Sequence, residues 1–240
     1  MSLLRSAAFT ALARGIRLPR PDALVSFMHQ GQLLDLLRRL RINVVLDVGA
    51  NEGWYSQHLR RGGFRGRIVT FEPNPENHAH ISAKADADWL QAGYALGEKD
   101  EVKPFNVLRD EGGSNTMSSF LQSSIGVPST TVEVDVKRLE DVLPDLLDGV
   151  PEPRIFLKTD TQGFDLPVVR GAGAWLPKVL GLQSEISVEP IYEAMTPYTQ
   201  SLASYHAMGF GLVDLQVVRR QPDGTVLEYD CLMARASELA

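Results

Sequence analysis

Residues 44–56, Val-Val-Leu-Asp-Val-Gly-Ala-Asn-Glu-Gly-Trp-Tyr-Ser, constrain the fold of this chain more than any other stretch. An apolar run rich in β-branched residues predicts a strand buried on both faces, as in a parallel sheet. Gly49 and Gly53 then bracket a tight turn that opens a helix. Strand, glycine turn and helix make a nucleotide-type site, because backbone without Cβ atoms lets a ligand approach closely. Asp47 narrows the choice of ligand. The dinucleotide fingerprint places a glycine at the strand end so that a pyrophosphate can rest on free N–H groups. A carboxylate at this turn repels a pyrophosphate. It suits a cofactor with positive ammonium and sulfonium groups, such as S-adenosylmethionine (SAM).

The rest of the chain alternates strands and helices. Residues 26–40 carry apolar positions at helical spacing and end in Arg38, Arg39 and Arg41, which favour a helix C-terminus. After the strand at 44–48, a helix over 55–61 stops at Gly62-Gly63. Residues 67–73 predict a second strand ending in Glu72 and the helix breaker Pro73. A crossover helix over 74–85 has Asn74 as N-cap and Pro75 at its first position. Residues 89–96 predict a third strand, and 102–108 and 130–136 two further extended segments. Residues 111–119, rich in glycine and hydroxyl groups, form either a loop over a ligand or a plain connection. A helix over 138–147 leads to a strand at 155–159, a turn at Gly163 and a helix through Gly171. A strand from 179 delivers Glu185, and a helix covers 200–208. Strands over 211–219 and 225–233 are joined by Pro222-Asp223-Gly224 as a hairpin turn.

Four predicted strands thus finish in an acid: Asp47, Glu72, Asp160 and Glu185. In an open α/β sheet, ligands bind beyond the carboxyl ends of the strands near the switch in strand order, so Asp160 is expected to share a crevice with Asp47. Glu72 lies near the offset at which an acid takes the ribose hydroxyls in nucleotide-binding βαβ units. A carboxylate at such a rim can serve as a general base toward a bound hydroxyl, or hold a metal that lowers the hydroxyl's pKa. Asp160 is the first candidate for either role, Glu185 its partner and Asp165 a third. Asp160 and Glu185 could hold Mg²⁺, or act without metal. Trp54, Tyr192 and Tyr198 are candidates for stacking on a sugar face, with core or surface roles as the alternative. His78 and His80 are read as surface residues, His58 as lining either the cleft or the surface, and His206 as structural, with a catalytic role as the alternative.

Composition excludes several classes. At 240 residues with 44% hydrophobic side chains, the chain has enough apolar mass for one domain with a core. A net charge of −6 argues against a nucleic-acid partner. The single cysteine, Cys231, excludes an internal disulfide or cysteine metal cluster and reads as a buried thiol. No apolar run is long enough for a transmembrane helix. The first residues carry Arg5, Arg14, Arg17 and Arg20 before any acid. They read as a helical arm over 1–30 packed on a domain over 31–240, with a targeting or membrane-surface segment as the alternative. The expected location is cytoplasmic.

The blocks Leu46-Asp47-Val48-Gly49-Ala50-Asn51-Glu52-Gly53, Phe71-Glu72-Pro73-Asn74-Pro75, Ala95-Leu96-Gly97, Lys158-Thr159-Asp160-Thr161-Gln162-Gly163-Phe164-Asp165 and Arg170-Gly171-Ala172 stand in one order. Together they resemble the FkbM family of SAM-dependent methyltransferases over about residues 36–235. Thr159 and Asp165 depart from the residues common at those places in the family. The resemblance implies an α/β, class I methyltransferase, Rossmann-like sheet. It would have seven strands, mostly parallel with a C-terminal antiparallel hairpin, and helices on both faces. It also implies O-methylation of a hydroxyl on a sugar or natural-product small molecule. Asp47, Gly49, Asn51 and Gly53 would form the loop at the methionine end of SAM, with Tyr55 and Ser56 near its carboxylate. Glu72 would take the ribose, and Ala95 and Leu96 would border the adenine. The alternatives are N- or carboxyl-methylation on the same fold, or SAM binding without catalysis. A nicotinamide-dependent oxidoreductase is disfavoured by Asp47.

Overall fold

The computed structural model describes residues 21–108, 118–122 and 129–239, with side chains of its first helix described from residue 28. Its strands in chain order are β1 (Val44–Val48), β2 (Arg67–Phe71), β3 (Trp89–Ala92), β4 (Ala95–Gly97) and β5 (Glu101–Leu108). They continue with β6 (Ser129–Arg138), β7 (Ile155–Thr159), β8 (Val179–Ser187), β9 (Phe210–Arg220) and β10 (Val226–Arg235). Seven strands form one sheet in the order β3-β2-β1-β7-β8-β10-β9. The first five run parallel, and β10 enters antiparallel between β8 and β9. This is the predicted seven-stranded sheet with its C-terminal hairpin. Strand order reverses between β1 and β7, which opens a crevice above their carboxyl ends.

Every residue of β1 is buried, because helices cover both faces of the sheet. Side chains alternate along a strand, so Val44, Leu46 and Val48 face the layer holding Leu139, Leu143, Val168 and Val169. Val45 faces the opposite layer, with Leu33, Leu36, Leu37 and Leu59 from the helices Pro21–Arg39 and Trp54–Arg61. Each such leucine, fully buried, contributes about 1.5–3 kcal/mol. Asp47 shares the Val45 face, and that placement decides its role below.

The structure departs from the sequence reading in several places. The predicted strand over 89–96 is two strands in two sheets. β3 joins the main sheet, while β4 pairs with β6 in a three-stranded sheet of order β4-β6-β5. The chain leaves the main sheet at Gly93, where the His78 ring stands 2.9 Å from the place a Cβ would occupy. That ring is held by a 2.8 Å contact from Nε2 to the Glu72 carbonyl oxygen. Pro104 falls in β5, an edge strand, where a missing N–H costs no ladder bond. The 74–85 helix is shorter than expected: a 3₁₀ turn Pro75–Asn77, capped by Asn74 Oδ1, runs into the helix His78–Ser82. Glu185 lies inside β8 rather than at its end. The helix Pro21–Arg39 runs unbroken across residue 30. Residues 1–20 and most of the 111–119 loop lie outside the described residues.

Candidate functional site

The turn after β1 is built by backbone constraints. Gly49 has φ +74°, and a Cβ there would stand 2.0 Å from the carbonyl oxygen of Asp160. The two chain turns that follow β1 and β7 therefore touch through Gly49, and any side chain would force them apart. Gly53, also at positive φ, opens the helix Trp54–Arg61. Every N–H of the turn is already engaged. Those of Gly49 and Ala50 donate to the Phe71 carbonyl at 3.0 and 3.2 Å, and that of Gly53 to Ala50 at 2.7 Å. The N–H of Asn51 donates to Glu72 Oε2 at 2.7 Å, and that of Glu52 to Asn51 Oδ1 at 2.7 Å. No donor of this loop is left over to cradle a phosphate.

A cleft of about 230 Å³ opens above this turn. Of the predicted cofactor residues, Gly49, Asn51, Tyr55, Glu72, Ala95 and Leu96 line it, and Asp160 lines it opposite. Phe71, Pro73, Phe105 and Phe120 add an apolar wall, the last two from the second sheet and its neighbouring segment. Glu72 is 5% exposed and spans the base of that wall. Its Oε1 accepts from the Asn74 N–H at 2.9 Å, and the Asn77 side chain donates to the same carboxylate. Burial pushes the Glu72 carboxyl up, and the two backbone N–H groups pull it part of the way back.

Asp47, Ser56 and Gly53 do not line the cleft. Strand geometry accounts for Asp47, and Ser56, on the first turn of the helix Trp54–Arg61, faces it. A residue within a strand points perpendicular to the sheet, so Asp47 enters the core and is 0% exposed. Its Oδ2 accepts the Ser56 hydroxyl at 2.7 Å, and its Oδ1 lies 3.2 Å from Lys158 Nζ. Lys158 is its register partner on β7. Burial alone would depress the Lys158 ammonium, but the charges of Asp47 and Asp160 outweigh it and hold the group above its ordinary value. The Tyr55 hydroxyl is likewise turned inward, donating to Gln183 Oε1 at 2.9 Å while its ring lies 5.3 Å from Lys158 Nζ. Gln183 Nε2 continues to Asp230 Oδ2 at 3.1 Å. A buried polar belt thus crosses β1, β7, β8 and β10 beneath the cleft. Lys158 and Gln183 are residues that sequence reasoning missed. The available signal was a lysine inside the apolar run Ile155–Thr159, which demands a buried acid beside it.

Asp160 follows β7 and therefore projects beyond the sheet, its side chain 40% exposed. Lys158 Nζ is 3.5 Å from its Oδ2. Gln162 Nε2 donates to Asp160 Oδ1 at 3.0 Å and to Glu185 Oε2 at 2.8 Å, so the two predicted carboxylates do converge. They converge on an amide donor. Among the described residues no group of three or more His, Cys, Asp or Glu side chains is placed to hold a metal ion, so the Mg²⁺ alternative for Asp160 and Glu185 has no support. Burial pushes the Glu185 carboxyl well above its usual range, with Asp160, Glu228, Asp230 and Asp165 adding to the effect. Asp165 is buried away from the cleft. It reaches back to the Thr161 N–H at 3.4 Å, and burial raises its carboxyl to about 6. With Glu185 it borders a smaller cavity, not the cleft.

Of the aromatic candidates, only Trp54 stands at the cleft, half exposed, with Lys84 Nζ 4.5 Å over its ring. Tyr192 is fully buried and donates its hydroxyl to Gln162 Oε1 at 2.9 Å, so it offers no stacking face. Tyr198 packs on Tyr229, ring centroids 6.3 Å apart. His80 is exposed and Cys231 buried, as expected; His58 and His206 are exposed and do not line the cleft. Among the described residues no helix is long and apolar enough to cross a membrane.

The sequence profile described as the methyltransferase FkbM domain matches residues 47–202. A curated relative, methyltransferase sdnD of Sordaria araneosa, is 26% identical over 155 residues, covering 53% of this chain and 59% of that protein. The chain therefore spans about three-fifths of the length of that relative. Two solved structures are similar in fold. One is magnesium protoporphyrin IX methyltransferase of Synechocystis PCC 6803, 10% identical, covering 89% of this chain and 77% of that one, TM-score 0.48. The other is a putative S-adenosylmethionine-dependent methyltransferase of Listeria monocytogenes, 6% identical, covering 86% and 97%, TM-score 0.48.

Proposed function

Because this chain belongs to the FkbM methyltransferase family, we propose that it uses SAM to O-methylate a hydroxyl of a sugar or natural-product small molecule. One observation carries the choice of cofactor. The loop after β1 has no backbone N–H left for a phosphate, while Glu72 and Asp160 present acceptors to the same cleft. A diphosphate would meet no loop donor and two carboxylates. An adenosine with a free ribose and a cationic end suits both features. Residues 31–240 are assigned to the catalytic unit and the segment before them to an arm.

The residues present fit SAM. Glu72 lines the cleft with a carboxylate that can accept from a ribose hydroxyl, and Phe71, Ala95, Leu96, Phe105 and Phe120 form an apolar slot suited to a purine. Gly49 and Asn51 border the amino-acid end. Tyr55 borders the same end with its ring, its hydroxyl turned inward, and Asp47 and Ser56 support the loop from below. When bound, SAM supplies an electrophilic methyl group on sulfur. Asp160 takes the proton of the acceptor hydroxyl as its oxygen becomes an ether, and Lys158 and Gln162 hold the carboxylate in place for that role.

The test has two stages. Thermal shift with SAM against NAD and NADP reads the cofactor, since a ligand at a hundred times its Kd adds about 2.7 kcal/mol of apparent stability. Radiolabelled SAM with a panel of glycosides and polyketide-like alcohols then reads the acceptor, with the product identified as a methyl ether. Stabilisation by NAD alone sinks the cofactor assignment. Methylated amine or carboxylate products, with Asp160→Ala retaining turnover, would replace O-methylation by the other chemistry on this fold.

A further inference from the structure

We infer that Gln162 is the positioning residue for Asp160: its amide bridges Asp160 and Glu185 and sets the direction in which Asp160 faces the cleft. The inference rests on the reading of Asp160 as the base. A glutamine amide has two N–H donors and one acceptor oxygen. Here one nitrogen serves two carboxylates, at 3.0 and 2.8 Å, and the oxygen accepts the Tyr192 hydroxyl at 2.9 Å. Flipping the amide would turn its oxygen against both carboxylates, so these two acceptors set its orientation.

The backbone of Gln162 is held with equal care. Its φ is +52°, a region that residues with side chains rarely adopt, and its carbonyl accepts the Ser119 hydroxyl at 2.8 Å. Ser119 itself pairs through its backbone with Asn106 of β5. Gln162 is thus anchored from the second sheet through Ser119 and from the segment after β8 through Tyr192. Strained backbone of this kind persists only where its surroundings over-determine it.

The groups facing Asp160 show why the amide matters. Lys158 on β7 is in ion-pair reach of Asp160 but sits nearer to Asp47 on β1, and Arg219 on β9 is paired with Glu228 at 2.9 Å. Glu185 on β8, Glu228 and Asp230 on β10, Asp165 on the following helix and the Tyr192 phenol all bear on the same region. Without the Gln162 donor, Asp160 and Glu185 would confront each other with nothing between them. Asp160 would then turn away, toward Lys158 or out to water.

The bridge can be tested without an acceptor. The full chain is labelled with ¹³C at aspartate carboxyl carbons, and Asp160 is assigned through Asp160→Asn. At one fixed pH, Gln162→Leu should move the Asp160 resonance while those of the remote Asp35 and Asp86 stay in place. Gln162→Met, which keeps the length and loses the donors, should do the same and stands in if the leucine variant fails to fold. Affinity for SAM is read by calorimetry in the same variants, so that kcat is compared at saturating cofactor. On a hydroxyl acceptor from the panel, kcat should fall at least about tenfold with little change in KM, as for a contact felt only at the transition state. An unmoved Asp160 resonance in both variants overturns the inference. So does movement of every aspartate signal, which would mark a purely structural role. If no hydroxyl is ever methylated, the base assignment fails while the resonance shift still reports the bridge.

Discussion

Replacing Lys158 with methionine should destabilise the protein by about 3–5 kcal/mol, the cost of removing one partner from a buried ion pair. The figure can be approached from the geometry. Nζ stands 3.2 Å from Asp47 Oδ1, which at an effective dielectric constant of about 20 corresponds to about 5 kcal/mol of attraction. Losing the buried ammonium returns part of this, because its own desolvation no longer opposes folding. Asp47 then stays at 0% exposure with only the Ser56 hydroxyl to solvate it. The contact to Asp160 adds little, since that side chain is 40% exposed and screened by water. Urea unfolding at pH 7.5, followed by tryptophan fluorescence, reads the loss. Asp47→Asn should cost less, because Lys158 keeps Asp160 within reach. The double variant should cost well below the sum, with a coupling of at least about 2 kcal/mol. A Lys158→Met protein within about 1 kcal/mol of wild type, or strict additivity in the cycle, would refute the buried-pair reasoning.

Three further outcomes follow from the same geometry. Burial holds Asp230 at about 6, above the roughly 3.9 of an unfolded aspartate, so the folded state binds this proton more tightly. Its contribution to stability is fully present below about pH 4 and is lost as pH rises through about 6, a span of up to about 3 kcal/mol. Asp230→Asn should flatten urea midpoints across that window, and an unchanged pH profile would count against it. Gly49→Ala places a Cβ 2.0 Å from the Asp160 carbonyl oxygen at φ +74°, so the melting temperature should fall by several degrees; an unaltered melt would mean that the two turns separate freely. Glu72→Gln replaces a charged acceptor and sets an amide donor against a backbone N–H. SAM binding should weaken by about 10–100-fold, and calorimetry showing wild-type affinity would remove Glu72 from the ribose role.

Strand-turn-helix units were legible because their signals are local. β1, β2, β7 and β8 announce themselves by apolar β-branched runs, and the hairpin by Pro222-Asp223-Gly224. The division at Gly93 was not legible, since Trp89 to Leu96 is continuous in character and the break depends on His78, packed there from another element. The second sheet was hidden for the same reason. Its pairing of β4 with β6 joins segments about forty residues apart, which no local period can report. Cleft residues were found where they follow a strand, as Glu72 and Asp160 do. They were misplaced where they lie within one.

The difference between Asp47 and Asp160 illustrates the physics behind that division. Both carboxylates stand near the carboxyl end of a neighbouring strand, and counting residues treats them alike. Asp47 is the fourth residue of β1, so the pleat sends it into the layer beneath the helices, where Lys158 neutralises it. Asp160 is the first residue after β7, released from the pleat, and it can lean out over the cleft. The triad of Asp47, Lys158 and Asp160 therefore carries one surplus negative charge, and the only member of the three with substantial exposure is Asp160. Asp47, at 0% exposure, presents no charge of its own to the cleft. The negative charge offered to the cleft is delivered at β7 and β2, and the loop of β1 contributes shape, with its N–H groups all spent on holding that shape.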